Sequence, residues 1–191
     1  MKQLSQYITE KFTVAGTTSN KILLFDVDDT LIRSDINVYV VKDGKTVKKL
    51  SSAEYNTYKL RPGESFDYRE FADEELLNSK SVFLKYWDTL IREYNKGTHI
   101  GIITARQCQG MFYRFFKNHG VTIKNELVFA INDPAMKLKG ETIEDRKAEV
   151  IKKIAHWGYD TIVFFDDSEA NLITAKKLEN RLNIKIHTVK A

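Results

Sequence analysis

The chain has 191 residues, a length that suits one domain, and 42% of them are hydrophobic, which is enough for one buried core. Its single cysteine, Cys108, excludes a fold built on internal disulfides, and no apolar run is long enough to cross a bilayer. The net charge of +4 is dispersed among acidic residues, so it does not by itself indicate a nucleic-acid surface. The first twelve residues lack the apolar core of a leader peptide, and we expect a cytoplasmic protein without membrane contact.

The first predicted strand is ILLFDV from Ile22, and the stretch that follows it is irregular. Within this stretch, VYVVKDGKTVKKL predicts a β-hairpin that turns at 42–45, and SSAEYNTY predicts a short helix that ends before the corner at Arg61, Pro62 and Gly63. We predict that residues 35–80 form a small cap or flap within a single domain of residues 1–191.

Strands and helices alternate in the rest of the chain. Segments with helical spacing lie at 81–96, 106–118, 142–157 and 168–181. Four apolar runs, too short for helices, predict strands: HIGIITA from His99, LVFAI from Leu127, TIVFF from Thr161 and IKIHTV from Ile184. This alternation predicts an α/β fold, a three-layer Rossmann-like and mostly parallel sheet with helices on both faces.

Acidic pairs follow two of the predicted strands. Asp26 and Asp28 come after the first strand, and Asp166 and Asp167 come after the fourth. Reactive residues of such sheets lie beyond the carboxyl ends of the strands, so we expect the two pairs to share one edge. Burying like charges together is costly unless a cation compensates. Because no Cys or His stands at ligand spacing, oxygen ligands and therefore Mg²⁺ are predicted.

A carboxylate beside Mg²⁺ can attack phosphorus and form an aspartyl-phosphate, which divides one difficult step into two. Asp28, two positions after Asp26, can protonate the leaving oxygen and later take a proton from water. The hydroxyl of Thr104 and a lysine would complete a phosphate cradle. Arg106 either contacts the substrate phosphate or only begins the next helix, and the sequence leaves both readings open.

Three stretches resemble, in order, motifs of the haloacid dehalogenase (HAD) superfamily. DVDDT at 26–30 is similar to motif I, DxDx[TV], IIT at 102–104 to motif II, and FFDDS at 164–168 to the acidic motif IV. The match extends from about residue 21 to the end of the chain. A lone DxDxT occurs by chance, but three motifs that each follow an apolar strand are specific.

The resemblance implies a role for each matched residue. Asp26 would be the nucleophile, Asp28 the general acid and base that also offers its carbonyl to the metal, and Thr104 a ligand of the transferred phosphoryl group. Asp26, Asp28, Asp166 and Asp167 would hold Mg²⁺. The motif III lysine is predicted to be Lys147, near the start of the helix before the acidic pair, with Lys139 and Lys137 as alternatives. Asn171 is expected to orient the acidic loop.

The function implied is a Mg²⁺-dependent phosphatase acting on a phosphorylated small molecule such as a nucleotide. A second candidate substrate is the 3′- or 5′-terminal phosphate of a nucleic acid, because a small flap leaves the site partly open and the pI is about 9.0. Flap residues that would contact it are Tyr39, Lys42, Lys45, Tyr55 and Tyr58. The alternatives are a HAD-fold protein that binds or scaffolds without catalysis, and phosphotransfer or dehalogenation on the same scaffold.

Overall fold

A five-stranded sheet forms the centre of the computed structural model, which describes residues 20–55 and 57–191. The strands of these residues are β1 (Lys21–Phe25), β2 (Ile32–Ser34), β3 (Val38–Lys42), β4 (Lys45–Leu50), β5 (Glu64–Asp67), β6 (Ser81–Phe83), β7 (His99–Thr104), β8 (Val128–Ala130), β9 (Thr161–Asp166) and β10 (Lys185–Lys190). The central sheet is parallel and has the order β10-β9-β1-β7-β8. Its strands fall on the five predicted runs, so the α/β fold with a parallel sheet is confirmed.

The helices of the described residues are α1 (Ser52–Tyr55), α2 (Glu74–Lys80), α3 (Lys85–Asn95), α4 (Gln109–Asn118), α5 (Ile143–His156), α6 (Glu169–Lys176) and α7 (Leu178–Leu182). Short 3₁₀ turns occur at Arg69–Ala72, Asn125–Leu127 and Pro134–Met136. In this part of the chain, no helix is both long and apolar enough to span a membrane. The prediction about the first twelve residues falls outside the described residues.

Helices cover both faces of the central sheet. Tyr86 of α3 packs against Phe165, with ring centroids 5.2 Å apart, whereas Lys147 of α5 lies 5.9 Å from the ring of Phe164. Neighbouring residues of a strand point to opposite faces, so α3 and α5 lie on opposite sides of β9. Strand β1 is buried from Ile22 to Phe25 between these two layers, as expected for a central parallel strand.

Three helix boundaries differ from the predictions. The segment predicted as one helix at 81–96 begins as strand β6, because Ser81 to Phe83 pair antiparallel with β2, and the helix starts at Lys85. Helix α4 starts only at Gln109, since Cys108 has a left-handed backbone with φ of 66°. The segment 168–181 divides at Lys177 into α6 and α7.

Helix α5 agrees with its prediction, and Thr142 and Asp145 form a capping box at its start.

Residues 35–80, called here the 35–80 segment, contain a small antiparallel sheet of order β4-β3-β5. The predicted hairpin is present and turns through Asp43 and Gly44, which both have positive φ, as a tight two-residue hairpin requires. The predicted short helix is α1, and Asn56 after it lies outside the described residues. Strand β5 and helix α2 were not predicted. The segment has an apolar cluster of its own, built on Val38, Val40 and Leu50, and strands β2 and β6 flank it.

Candidate active site

Seven polar or charged side chains are buried in the part of the chain that the structure describes. They are Asp26, Thr30, Thr104, Arg106, Lys147, Asp166 and Asn171. Each lies on one of the stretches that the sequence analysis singled out. Because a buried polar group costs free energy unless it is paired, such a concentration is typical of a functional site rather than of a packed core.

Asp26 and Asp166 are brought together by the pairing of β1 with β9. Phe25 and Phe165 are partners in the parallel register, and the amide of Asp26 donates a 2.9 Å hydrogen bond to the carbonyl oxygen of Phe165. The chain runs from β1 to β7 on one side and returns to β9 on the other, so the strand order reverses next to β1. Ligand sites of open α/β sheets occur beyond the strand ends at such a reversal.

Lys147 connects the two carboxylates. Its Nζ donates to Oδ1 of Asp26 and to Oδ2 of Asp166, and both distances are 2.7 Å. The side chain of Lys147 is only 3% exposed and reaches the site from the first half of α5. Lys139 and Lys137, the other two lysines considered for this position, are exposed. The structure therefore brings Lys147, and neither of the alternatives, to the acidic cluster.

The electrostatics of the site follow from burial. Burial raises the pKa of Asp26 to about 7, and the neighbouring ammonium of Lys147 opposes this rise while Asp166 adds to it. Burial alone would lower the pKa of Lys147, but the carboxylates of Asp26 and Asp166 outweigh it and raise that pKa. The pKa of Asp167 is raised by burial and by the adjacent Asp166. One lysine thus does not fully compensate the carboxylates around it.

Asp166 is held in place by its own loop and by α6. Oδ1 accepts hydrogen bonds from the amide of Ser168 at 2.8 Å and from Nδ2 of Asn171 at 2.9 Å. Nδ2 of Asn171 also reaches Oδ2, at 3.1 Å. Asn171 therefore orients Asp166, in the role that the sequence predicts for it.

Asp26, Asp166 and Asp167 can offer one oxygen each to a common ion, since these atoms lie within 4.8 Å of one another. All three ligands are carboxylates, which suit a hard divalent cation such as Mg²⁺. Counting Asp28 as well, four carboxylates outnumber the three cations beside them, Lys147, Arg106 and Lys190, whose Nζ donates to the backbone oxygen of Asp167. The residues present thus fit Mg²⁺ in both ligand type and charge.

Asp28 and Arg106 form a second pair at the entrance of the site. Nε of Arg106 lies 2.9 Å from Oδ2 of Asp28, and Nη2 lies 2.5 Å from Oδ1. The side chain of Asp28 is 34% exposed, whereas that of Arg106 is 2% exposed. Thr104 ends β7, is fully buried, and accepts a 3.2 Å hydrogen bond from the amide of Arg106. The side chain of Asp28 is not among the three carboxylates that share a common ion position.

A cavity of about 700 Å³ opens beside Asp28. The 35–80 segment contributes Tyr55 and Phe71 to its wall, and Ser34 and Lys80 add polar groups. Its lining includes Asp28 but none of Asp26, Lys147 and Asp166, so the cavity adjoins the acidic cluster only through Asp28.

Four of the five flap residues predicted to contact a nucleic acid, Tyr39, Lys42, Lys45 and Tyr58, do not line this cavity. Tyr39 donates a hydrogen bond to Glu70, Tyr58 donates to Glu64 at 3.0 Å, and Lys42 and Lys45 are exposed at the hairpin turn. Of the predicted contacts in this segment, the structure brings Tyr55 to the cavity.

Two residues at the site were missed by the sequence analysis. Ser34 accepts a hydrogen bond from Nη2 of Arg106 at 3.1 Å, and the ring of Phe71 lies 4.8 Å from the guanidinium carbon of Arg106. A lone serine and a lone phenylalanine carry no pattern that could have indicated these contacts.

Comparison with known proteins identifies no relative: no protein-family model matches the chain, and no curated protein matches it.

Proposed function

We propose that the chain is a Mg²⁺-dependent phosphomonoester hydrolase of the HAD type, with Asp26 as its nucleophile. One observation carries this proposal: three carboxylates from two separate strand ends can reach a common ion position, and a buried lysine bridges two of them. Ordinary ion pairing does not account for this cluster, because one lysine is shared between two buried acids.

The strand order supports the HAD assignment. The sheet has the order β10-β9-β1-β7-β8, with Asp26 after β1, Thr104 at the end of β7 and Asp166 at the end of β9. The residues matched to the three motifs thus end three adjacent parallel strands. In this assignment the 35–80 segment, inserted between β2 and β6, acts as a small flap over the site.

The reaction needs two displacements at phosphorus. In the first, a carboxylate oxygen of Asp26 forms a bond to phosphorus, the bond to the leaving oxygen breaks, and Asp28 gives that oxygen a proton. In the second, water attacks the aspartyl-phosphate, Asp28 takes the proton of the water, and phosphate and free Asp26 are released. Lys147 keeps the two carboxylates together, and in this assignment the hydroxyl of Thr104 would donate to a phosphoryl oxygen. Bound Mg²⁺ would neutralise charge between the attacking carboxylate and the phosphate.

The cavity beside Asp28 supports a substrate with a large leaving group. Its volume of about 700 Å³ exceeds what a phosphate alone would fill, and its wall includes the aromatic residues Tyr55 and Phe71. A nucleotide fits this description, and so does the terminal nucleotide of a nucleic acid, which we keep as the second candidate.

The experiment is a phosphatase screen of the purified chain with Mg²⁺, using sugar phosphates, nucleoside monophosphates and oligonucleotides with 3′- or 5′-phosphates. Asp26→Asn is the matched inactive variant, because it keeps size and hydrogen-bonding groups but removes the nucleophile. We expect release of inorganic phosphate from at least one class by the wild type and none by the variant. Hydrolysis by D26N at a comparable rate would exclude Asp26 as the nucleophile, and no hydrolysis of any class would favour a binding protein.

A further inference from the structure

The guanidinium group of Arg106 has an unusual set of contacts for a residue beside a phosphate site. Its side chain is 2% exposed, and its Nε and Nη2 atoms donate to both oxygens of Asp28. A planar guanidinium that binds a carboxylate in this way fixes the plane of the carboxylate as well as its position. These donors point at the carboxylate of Asp28, so they are not available to a phosphate.

The same guanidinium also contacts the base of the 35–80 segment. Nη2 donates to Oγ of Ser34 at 3.1 Å, and Oγ of Ser34 lies 3.1 Å from Oγ of Ser81. Ser34 ends β2 and Ser81 begins β6, and the two residues are paired where the chain enters and leaves the segment. The ring of Phe71, within the segment, lies 4.8 Å from the guanidinium carbon. Arg106 thus joins Asp28 to Ser34, through Ser34 to Ser81, and to the cavity-lining ring of Phe71.

We propose that Arg106 is a positioning residue that holds the carboxylate of Asp28 in a fixed position relative to the base of the 35–80 segment. In this position Asp28 can reach the leaving oxygen of a substrate in the adjoining cavity. This inference rests on the proposed function. A general acid must lie within hydrogen-bond reach of the oxygen that it protonates, and a side chain that rotates freely spends little time there. In the structure Arg106 engages both carboxyl oxygens of Asp28, so one of them must exchange Arg106 for the leaving oxygen when the proton is transferred, while Arg106 keeps the other.

A positioning role differs in its kinetics from the phosphate contact that the sequence also allowed. Loss of a phosphate contact should slow every phosphomonoester to a similar degree. Loss of a well-placed acid should slow esters of poor leaving groups strongly, and esters of good leaving groups little, because the latter depart without a proton. Nη1 of Arg106 has no acceptor among the described residues, so this one donor is still available for a phosphate oxygen. The positioning role and the phosphate contact therefore need to be separated by experiment.

The test measures kcat/KM with saturating Mg²⁺ for phenyl phosphate, p-nitrophenyl phosphate and 2,4-dinitrophenyl phosphate. This ratio reports the steps up to transfer of phosphorus to Asp26. We compare the wild type with Arg106→Lys and Asp28→Asn, and with Arg114→Lys as the matched control, since Arg114 binds Glu74 through the same fork on the surface. For R106K we expect a loss of about 10²-fold or more on phenyl phosphate and less than about 10-fold on the dinitrophenyl ester, the pattern expected for D28N.

Ser34→Ala serves as a second variant, because it removes one contact of the guanidinium and leaves Arg106 and Asp28 intact. Its kcat/KM should show the same dependence on the leaving group as that of R106K, with smaller losses. Circular dichroism should show that R106K and S34A are both folded. Equal losses on all three esters would overturn the positioning role while leaving the phosphatase assignment in place. If the wild type hydrolysed none of these esters and none of the substrate classes of the phosphatase screen, the proposed function would fail, and the role of Arg106 with it.

Discussion

The ammonium group of Lys147 lies 2.7 Å from a carboxylate oxygen of Asp26, although 121 positions of sequence separate the two residues. The same nitrogen reaches Asp166 at the same distance. Because all three side chains are at most 7% exposed, the cation is the main compensation for two largely buried carboxylates. Both the stability of the site and its chemistry should therefore depend on Lys147.

Replacing Lys147 by methionine should destabilise the protein and stop hydrolysis. The variant keeps the length of the side chain but leaves Asp26 and Asp166 without their cation, and breaking a buried pair in this way costs about 3–5 kcal/mol. Urea unfolding in the presence of a chelator measures this loss. Lys139→Met is the control, because Lys139 is exposed, and it should change the free energy of unfolding by less than about 0.5 kcal/mol. Equal effects of the two substitutions would show that Lys147 does not support the acidic pair.

Mg²⁺ should raise the melting temperature of the wild type, because an ion that binds only the folded state adds to its stability. At a concentration one hundred times the dissociation constant the gain is about 2.7 kcal/mol. Asp166→Asn should lose most of this gain, since it removes one of the three converging carboxylates. Asp43→Asn is the control, because Asp43 lies exposed at the hairpin turn, where asparagine is equally well tolerated. A Mg²⁺-dependent shift of the same size in D166N would contradict the proposed metal site.

The sequence predicted the central sheet well because four of its five strands, β1, β7, β8 and β9, are nearly continuous apolar runs, whereas the edge strand β10 (KIHTVK) is more polar. It also predicted that Asp26 and Asp166 share an edge, since parallel strands place their carboxyl ends together. The contacts of Arg106 with Asp28 and Ser34 were beyond its reach, because they depend on how the 35–80 segment folds back onto the core. Strand β6 differs from the predicted start of a helix for a similar reason, because Ser81 to Phe83 are extended by pairing with β2 and not by local preference.

The contribution of Asp26 to the stability of the metal-free protein should fall as the pH rises from about 4 to about 7. Burial raises the pKa of Asp26 to about 7 from an ordinary value of 3.8, so within this window the folded protein retains a proton that the unfolded chain has released. The free energy of unfolding then decreases with pH, by up to about 1.4 kcal/mol per pH unit from this group. Asp26→Asn cannot titrate and should lack this contribution.

Urea unfolding at several pH values with a chelator measures this difference, because a bound cation would favour the ionised carboxylate. Subtracting the D26N curve from the wild-type curve removes the contribution of all other groups. The difference should diminish above about pH 7, where Asp26 is ionised in both states. Parallel curves for the two proteins across the whole range would show that Asp26 is not perturbed.

Gly101 of β7 should tolerate no side chain, because it is the partner of Leu24 in β1, two positions before Asp26. A Cβ at this position would lie 2.7 Å from Cδ2 of Leu24 and 3.3 Å from the backbone oxygen of Leu127. Gly101→Ala should therefore lower the free energy of unfolding by about 1–3 kcal/mol, as overpacking of a core does. Gly110→Ala is the matched control: its new Cβ would approach only the flexible end of Arg114, at 3.4 Å, and alanine in a helix should stabilise by about 0.5–1 kcal/mol. Urea unfolding of both variants measures these opposite signs, and a neutral or stabilising G101A would show that β1 and β7 are less tightly packed below the site than the structure indicates.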